Sequence, residues 1–445
     1  MANTPITAAQ AKDFDIAKCL VYSNDEKTKV DISGLISDLY YFEDVLSPSI
    51  KVDLMFADTA TVEKDDDLKT VIDALQMVGT EKVELKLKDP NEEEISVTVY
   101  SDFISAPAKQ PRKSLVTINL VSKELIFNYK TAVNYRLDGL ISDHVEKIMK
   151  DTIKTEKKLD IEKTIEPFNY SGVNLRPYAT ILTMARKAIP ATANAKGNTA
   201  GFFFFETSEG FKFKSIDGLL SQKQKKSISY NDSSDREEVP AGYDIKALAL
   251  SKDNRVDTKD KLEKGAFSTR TILFDPFNCY YEVVASDAKS KEQNLKLAGK
   301  ELPKLNSEFD VAGLNKEFSR TTYYLLDTGT LPTGNTRQQI GKSQEVNFDV
   351  KNILNQSIMR YNQLYSSMIT VTIAGDFSLH AGDVVYVDVP ELSADTKNDQ
   401  VSKQSGGLYI ISDLCHYVTT KGTFTKLNLV RDSFGRTGNH TTNRS

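Results

Sequence analysis

The chain has few residues placed for chemistry. Its four histidines, His144, His380, His416 and His440, stand far apart, and none has a metal-binding spacing such as HExxH. Cys415 and His416 are neighbours, so in a strand their side chains leave opposite faces, the wrong geometry for a thiol–imidazole dyad. Cys19, Cys279 and Cys415 are too widely spaced for a CxxC zinc site. "GNTRQQIGKS", Gly334 to Ser343, has six residues between its glycines where a phosphate loop has four, and no apolar strand leads into it. There is no GxSxG elbow. Carboxylates crowd in "VEKDDD" and "PNEEE", but as charge runs between strands, with nothing to mark a glycosidase pair or a calcium site. "QKQKK" lacks the interleaved aromatics of a single-strand binding platform. The expectation is a protein with no catalytic residue, no metal and no cofactor: a structural or interaction protein rather than an enzyme.

The elements that would position any site are mostly strands. Over residues 13–128, "AKCLVYS", "SIKVDLMFA", "KVELKLKD", "EISVTVYSDFIS" and "SLVTINLVS" alternate with period two. One short helix interrupts them, with Leu68, Val71, Ile72 and Leu75 at helical spacing and Gly79 as its stop. Between 133 and 190 the period becomes helical. Leu137, Ile141, Val145, Ile148 and Met149 share one face, and a second helix over Tyr178–Ala185 tolerates Pro177 early and takes Asn174 as its cap. "GFFFFETSEGFKF" predicts a hairpin whose first strand is buried on both faces. Residues 221–262 are polar and loop-rich, 265–286 hold two strands, and Val350–Tyr365 form an amphipathic helix. Residues 368–430 return to strands. No internal repeat is apparent, although the first and last β regions share a character.

Composition bounds the class. At 445 residues the prior is about three domains. A net charge of −5 argues against charge-driven nucleic-acid binding. Three sparse cysteines fit a reducing compartment better than a disulfide framework. No apolar run approaches a membrane span, and the N-terminal residues lack the pattern of a secretory signal. Tryptophan is absent, while 21 Phe and 19 Tyr supply cores and interfaces.

Four segments stand in a telling order: "GFFFFETSEGFKFKSIDGLL", "MITVTIAGDFSLHAGDVVYVDVP", "SGGLYIISDLCHYV" and "GTFTKLNLVRDS". Together with "LRPYATILTMARKAI" and "GAFSTRTILFDPFNCYYE" they resemble the baseplate hub proteins of contractile-tailed bacteriophages, and the related hub part of type VI secretion spike proteins. The resemblance covers most of residues 130–433. It implies a structural homotrimeric ring that joins the hexameric tail tube to the central spike, each subunit giving two similar barrels. The implied partners are further copies of the chain, the tube protein, the spike, other baseplate proteins and a tape measure protein. The implied place is the virion baseplate, reached by assembly in the host cytoplasm. The alternatives are a tail-associated cell-wall or glycan hydrolase and a carbohydrate-binding adhesin.

The expected fold class is α+β, mainly β. It has a first β-barrel tube domain over 1–130 and a middle α+β domain over 131–200 and 221–365. A second barrel is expected over 201–220 with 366–432, and a flexible tail over 433–445. Four C-terminal strands are few for a barrel, so 201–220 is expected to pair with them. In "GDFSLHAGD" glycine supplies positive φ, aspartate caps the turn and His380 projects to the surface.

Overall fold

The computed structural model of the chain describes residues 15–438, apart from 60–61, 65–66, 90, 111–112, 166, 192–199, 231–238, 240–241, 254–257, 276–278, 288–294, 310–319, 326–334, 344–349, 390–404 and 420–421.

The first strands are β1 (Asp15–Tyr22), β2 (Lys29–Asp31), β3 (Ile36–Asp44) and β4 (Lys51–Asp58). A small hairpin, β5 (Val62–Lys64) with β6 (Asp67–Lys69), leads to α1 (Val71–Leu75). Then come β7 (Lys82–Lys88), β8 (Glu94–Gln110) and β9 (Lys113–Ser122). Alternation is strict: in β7, Val83, Leu85 and Leu87 are buried and the residues between them half-buried. The helix is shorter than its apolar spacing predicts. Thr70 caps it by accepting from the Asp73 N–H, it ends at Gln76 in the left-handed region, and Leu68 lies in β6, exposed.

The middle opens with α2 (Lys123–Lys130), β10 (Arg136–Leu137) and α3 (Ile141–Lys147), which runs on as a π-turn to Ile153. β11 (Leu159–Ile161), β12 (Tyr170–Ser171) and α4 (Pro177–Ala185) follow. Pro177 is at the first turn of α4 as expected, but the cap is Arg176, and Asn174 lies upstream with φ +62°. The phenylalanine hairpin is β13 (Phe202–Thr207) with β14 (Gly210–Ser215), then α5 (Ile216–Leu220).

Among the described residues the expected pairing of this hairpin with the C-terminal strands does not occur. β14 pairs with β11 instead, in parallel. The reason is that β13 is buried by packing on both faces. Phe202 and Phe204 enter a core with Ile181, Met184 and Val145; Phe203 and Phe205 enter another with Val384, Ile410 and Val430. The hairpin is a wall between the middle and the C-terminal sheet, not a strand of that sheet.

What completes the C-terminal sheet comes from the polar stretch expected in the middle domain: β15 (Lys226–Ser229), β16 (Ile245–Lys246) and β17 (Ala249–Asp253). After α6 (Thr258–Lys264), a separate sheet of β18 (Ser268–Asp275), β19 (Tyr280–Asp287) and β20 (Arg320–Leu325) packs by Leu273, Val284 and Tyr324 on the helical core. α7 (Thr336–Ser343) and α8 (Val350–Leu364) lead to β21 (Ser367–Ala374), β22 (Val384–Asp388), β23 (Gly407–Thr419) and β24 (Gly422–Arg431). The molecule is mainly β with α+β layering, but among the described residues its strands do not make two separate closed barrels. Fourteen of them form one continuous sheet.

That sheet is built from two halves of the same topology. In the first, the order runs β1–β7–β8–β9–β4–β3. The segment Lys29–Asp44 divides its pairing, giving β2 to β1 and β3 to β4. In the second, the order runs β15–β22–β23–β24–β21–β17. Here Ile245–Asp253 divides in the same way, giving β16 to β15 and β17 to β21. Chain order matches strand for strand. The halves differ in that β15 runs parallel to β16 and β22, where β1 runs antiparallel to β2 and β7. Each half encloses its own core, one around Val52, Leu54 and Ile118, the other around Val371, Leu427 and Leu429.

The tail departs from expectation. Phe434 bridges to Glu301, and Arg436 donates to the Tyr386 hydroxyl at 2.7 Å and to Asp388 at 3.0 Å. Residues 433–438 are therefore docked on the second half; 439–445, with His440, lie outside the described residues.

Candidate functional site: the seam between the halves

The two halves meet edge to edge. β3 pairs antiparallel with the distal part of β23, from Asp44 opposite Asp413 to Asp38 opposite Thr419. β23 reaches it by changing partners. Gly407–Ile410 pair with β22, a bulge follows between Ile411 and Asp413, and the strand then swings onto β3. Across the seam one face carries a run of stacked rings, Phe42, Tyr40, Tyr417 and Phe424, with centroids 5.2 to 6.4 Å apart. The other face is buried and holds Tyr41, Glu43, Leu414 and His416.

Glu43 ties this seam to the rest of the molecule. Its carboxylate accepts from the Ser208 N–H at the tip of the phenylalanine hairpin (2.8 Å) and from the Ala381 N–H in the β21–β22 turn (2.9 Å). The Tyr41 hydroxyl donates to it at 2.8 Å, and His380 Nδ1 lies 3.3 Å away. His380 is thus not the surface residue its turn implies; it is 5 % exposed. Burial alone would raise the Glu43 carboxyl, but His380 and the two backbone donors outweigh it and hold the group at about 2. Burial pulls His380 down, and Glu43 reverses this and leaves its pKa raised. The turn itself is as its residues predict: Gly382 has φ +85° and Asp383 accepts from the His380 N–H.

The remaining candidates do not converge. His144 binds the Phe168 carbonyl inside the helical core. His416 faces Thr425 Oγ1 at 2.8 Å between the Tyr41 and Phe377 rings, and burial drives its pKa down to about 4. Cys415 is half-buried, Cys19 buried and Cys279 exposed. Thr336–Ser343 form α7, and Gly334 lies outside the described residues. Among the described residues no group of three or more His, Cys, Asp or Glu is placed to hold a metal, and no helix is long and apolar enough to cross a membrane.

Two further buried ion clusters fix the halves to the middle. Lys157 bridges Glu206 of β13 (2.5 Å) and Glu124 of α2 (2.9 Å), and Glu206 also accepts from the Ile50 N–H. Arg360 of α8 binds Asp217 of α5, the Lys296 carbonyl and Asp432 at the end of β24. Sequence reasoning missed all three clusters because their members lie far apart in the chain.

The fold, a duplicated sheet with a strand-paired seam and buried ionic anchors, is one shared with bacteriophage tail proteins. The 43 kDa tail protein of prophage MuSo2 from Shewanella oneidensis superposes with TM-score 0.51 at 8% identity, over 93% of this chain and 98% of that one. The tail protein from Neisseria meningitidis MC58 superposes with TM-score 0.51 at 9% identity, over 93% and 96%. No family model and no curated protein matches the sequence.

Proposed function

We propose that this chain is the structural hub of a contractile tail baseplate: a homotrimeric ring that seats the hexameric tail tube on one side and carries the central spike on the other. The observation that carries this reading is the internal duplication. Three copies of a chain with two like half-sheets present six like units, so a three-fold ring can meet a six-fold tube. The tail-protein fold and the ordered hub-like motifs support the same reading. The work is mechanical, done by broad interfaces rather than by a reacting group. Obligate interfaces of this kind bury on the order of 2,000 Å² or more. Further baseplate proteins and the tape measure protein are the remaining expected contacts, within the virion after assembly in the host cytoplasm.

The test is the mass in solution by light scattering, then co-purification with tube and spike proteins. Three chains per particle, seen as open rings by electron microscopy, are expected. A stable single chain at micromolar concentration, or a trimer with a closed axis, overturns the reading.

A further inference from the structure

The polar and apolar faces of α8 are reversed. Asn355, Arg360 and Gln363 are buried, while Leu354, Ile358, Tyr361 and Tyr365 are only half-buried. These four lie at i, i+4, i+7 and i+11, so they form one stripe along the helix. A helix face turned to water normally carries charge, and this stripe carries none. Inward bonds hold the helix in this rotation. Asn355 donates to the Val284 carbonyl at 3.2 Å, Gln363 donates to the Ala266 carbonyl at 3.0 Å, and Arg360 binds Asp217 and Asp432. The helix cannot turn its apolar stripe inward without breaking all of them.

The stripe lines a cleft of about 570 Å³. Phe202–Phe204 of β13 line it too, as do Leu182 and Ala185 of α4 and Leu46 from the β3–β4 turn. Leu46 is 58 % exposed and Leu182 37 %. Leu46 is fixed where it stands, because its N–H donates to the Asp44 carboxylate at 2.7 Å. The cleft has a charge sign as well: Arg186 and Arg320 line it, and among the described residues no carboxylate does.

We propose that this cleft docks a partner protein through a short amphipathic segment. Its apolar side chains enter against the α8 stripe and Leu182, and its acidic side chains meet Arg186 and Arg320. Charge complementarity selects an acidic segment over a basic one. Size and rim select a polypeptide over a small molecule. A pocket of this volume buries most of a small ligand, yet such a ligand would leave Leu46 and Leu182 in water, whereas a polypeptide covers cleft and rim together. The mode is that of a helix laid in a groove. The proposal does not depend on the ring reading.

The probes are two fluorescein-labelled peptides of about 14 residues with leucines at i, i+4, i+7 and i+11. Glutamates flank the leucines in one, lysines in the other. Fluorescence anisotropy follows their binding to the full chain. The acidic peptide should bind saturably and at least about tenfold tighter than the basic one. Arg186→Glu should abolish that preference. Leu182→Ser and Leu46→Ser should each weaken the acidic peptide about tenfold, the loss of one leucine contact. All three residues are at the surface, so the variants should melt with the parent. Equal affinity for both peptides, no binding of either, or affinities unmoved in all three variants overturns the proposal. Saturable binding of laurate in place of the peptide overturns it in favour of a small amphiphile. A fall in the number of chains per particle in Leu182→Ser, seen by light scattering, overturns it in favour of a second copy of the chain. The mass of the parent particle tests the ring reading separately, so the two can fail apart.

Discussion

Glu43, His380 and His416 sit within one small volume and respond to pH in opposite ways. His380 has a raised pKa, so its contribution is complete below about 6.5, the ordinary histidine value, and is lost as pH rises through the folded pKa. His416 is depressed to about 4, so the unfolded chain binds its proton first, and stability falls as pH drops from about 6.5 toward 4. Thermal melts should therefore decline on both sides of a maximum near pH 6.5 as far as these two groups decide it. His380→Gln should flatten the alkaline side and His416→Phe the acid side; slopes identical to the parent in both variants would contradict the assignment. Glu43→Ala removes the acceptor of the part-buried Ser208 N–H and the buried Ala381 N–H, and the partner of His380. Breaking a buried pair from one side costs about 3–5 kcal/mol, to be read from urea unfolding.

At the scale of elements, the turn between β21 and β22 and the docked tail decide how well the second half holds together. A Cβ on Gly382 would stand 2.7 Å from the Phe205 ring, on a backbone with φ +85°. Gly382→Ala should cost about 1–3 kcal/mol through strain and overpacking. Gly34→Ala, where a Cβ meets nothing within 4 Å, serves as the tolerated control. A calorimetric Tm unchanged by the Gly382 variant would contradict this. Arg436 compensates Asp388, which is 3 % exposed and also accepts from Tyr386. Removing residues 436–445 should thus lower stability by about 1.5–3 kcal/mol, the worth of a charge-assisted hydrogen bond to a buried group. A truncated chain that melts with the parent would show the docking to be idle.

For the whole molecule, the central position of the seam sets the pattern of local opening. β3 and β23 each have strands on both sides and lie between two cores, so their amides open only when the joined sheet opens. Hydrogen exchange should be slowest at 39–43 and 414–418, with both strands exchanging at one common rate. Rates that differ by orders of magnitude between the two strands would mean that the halves open independently. The same central position holds the two halves at a fixed spacing within the chain.

Period-two alternation was enough to place most strands of both halves, because strands such as β4, β7 and β21 bury one face more deeply than the other, although β22 is buried throughout. Helical spacing likewise placed α3, α4 and α8. β3, "ISDLYYFED", escaped because its outward face carries Tyr40 and Phe42, which blur the alternation. β15, β16 and β17 escaped because they are short and polar; their strand character comes from neighbours, not from their own residues. The duplication left one legible trace, Asn119-Leu120-Val121 against Asn428-Leu429-Val430, in matching places beside the two bulges. The double burial of Phe202–Phe205 was plain from composition, but not what would bury it. Apolarity fixes that a face is covered, whereas the covering surface is chosen by packing among segments hundreds of residues apart. For the same reason Glu43, Ser208 and His380 become a site only when the fold brings three separate turns and strands to one carboxylate.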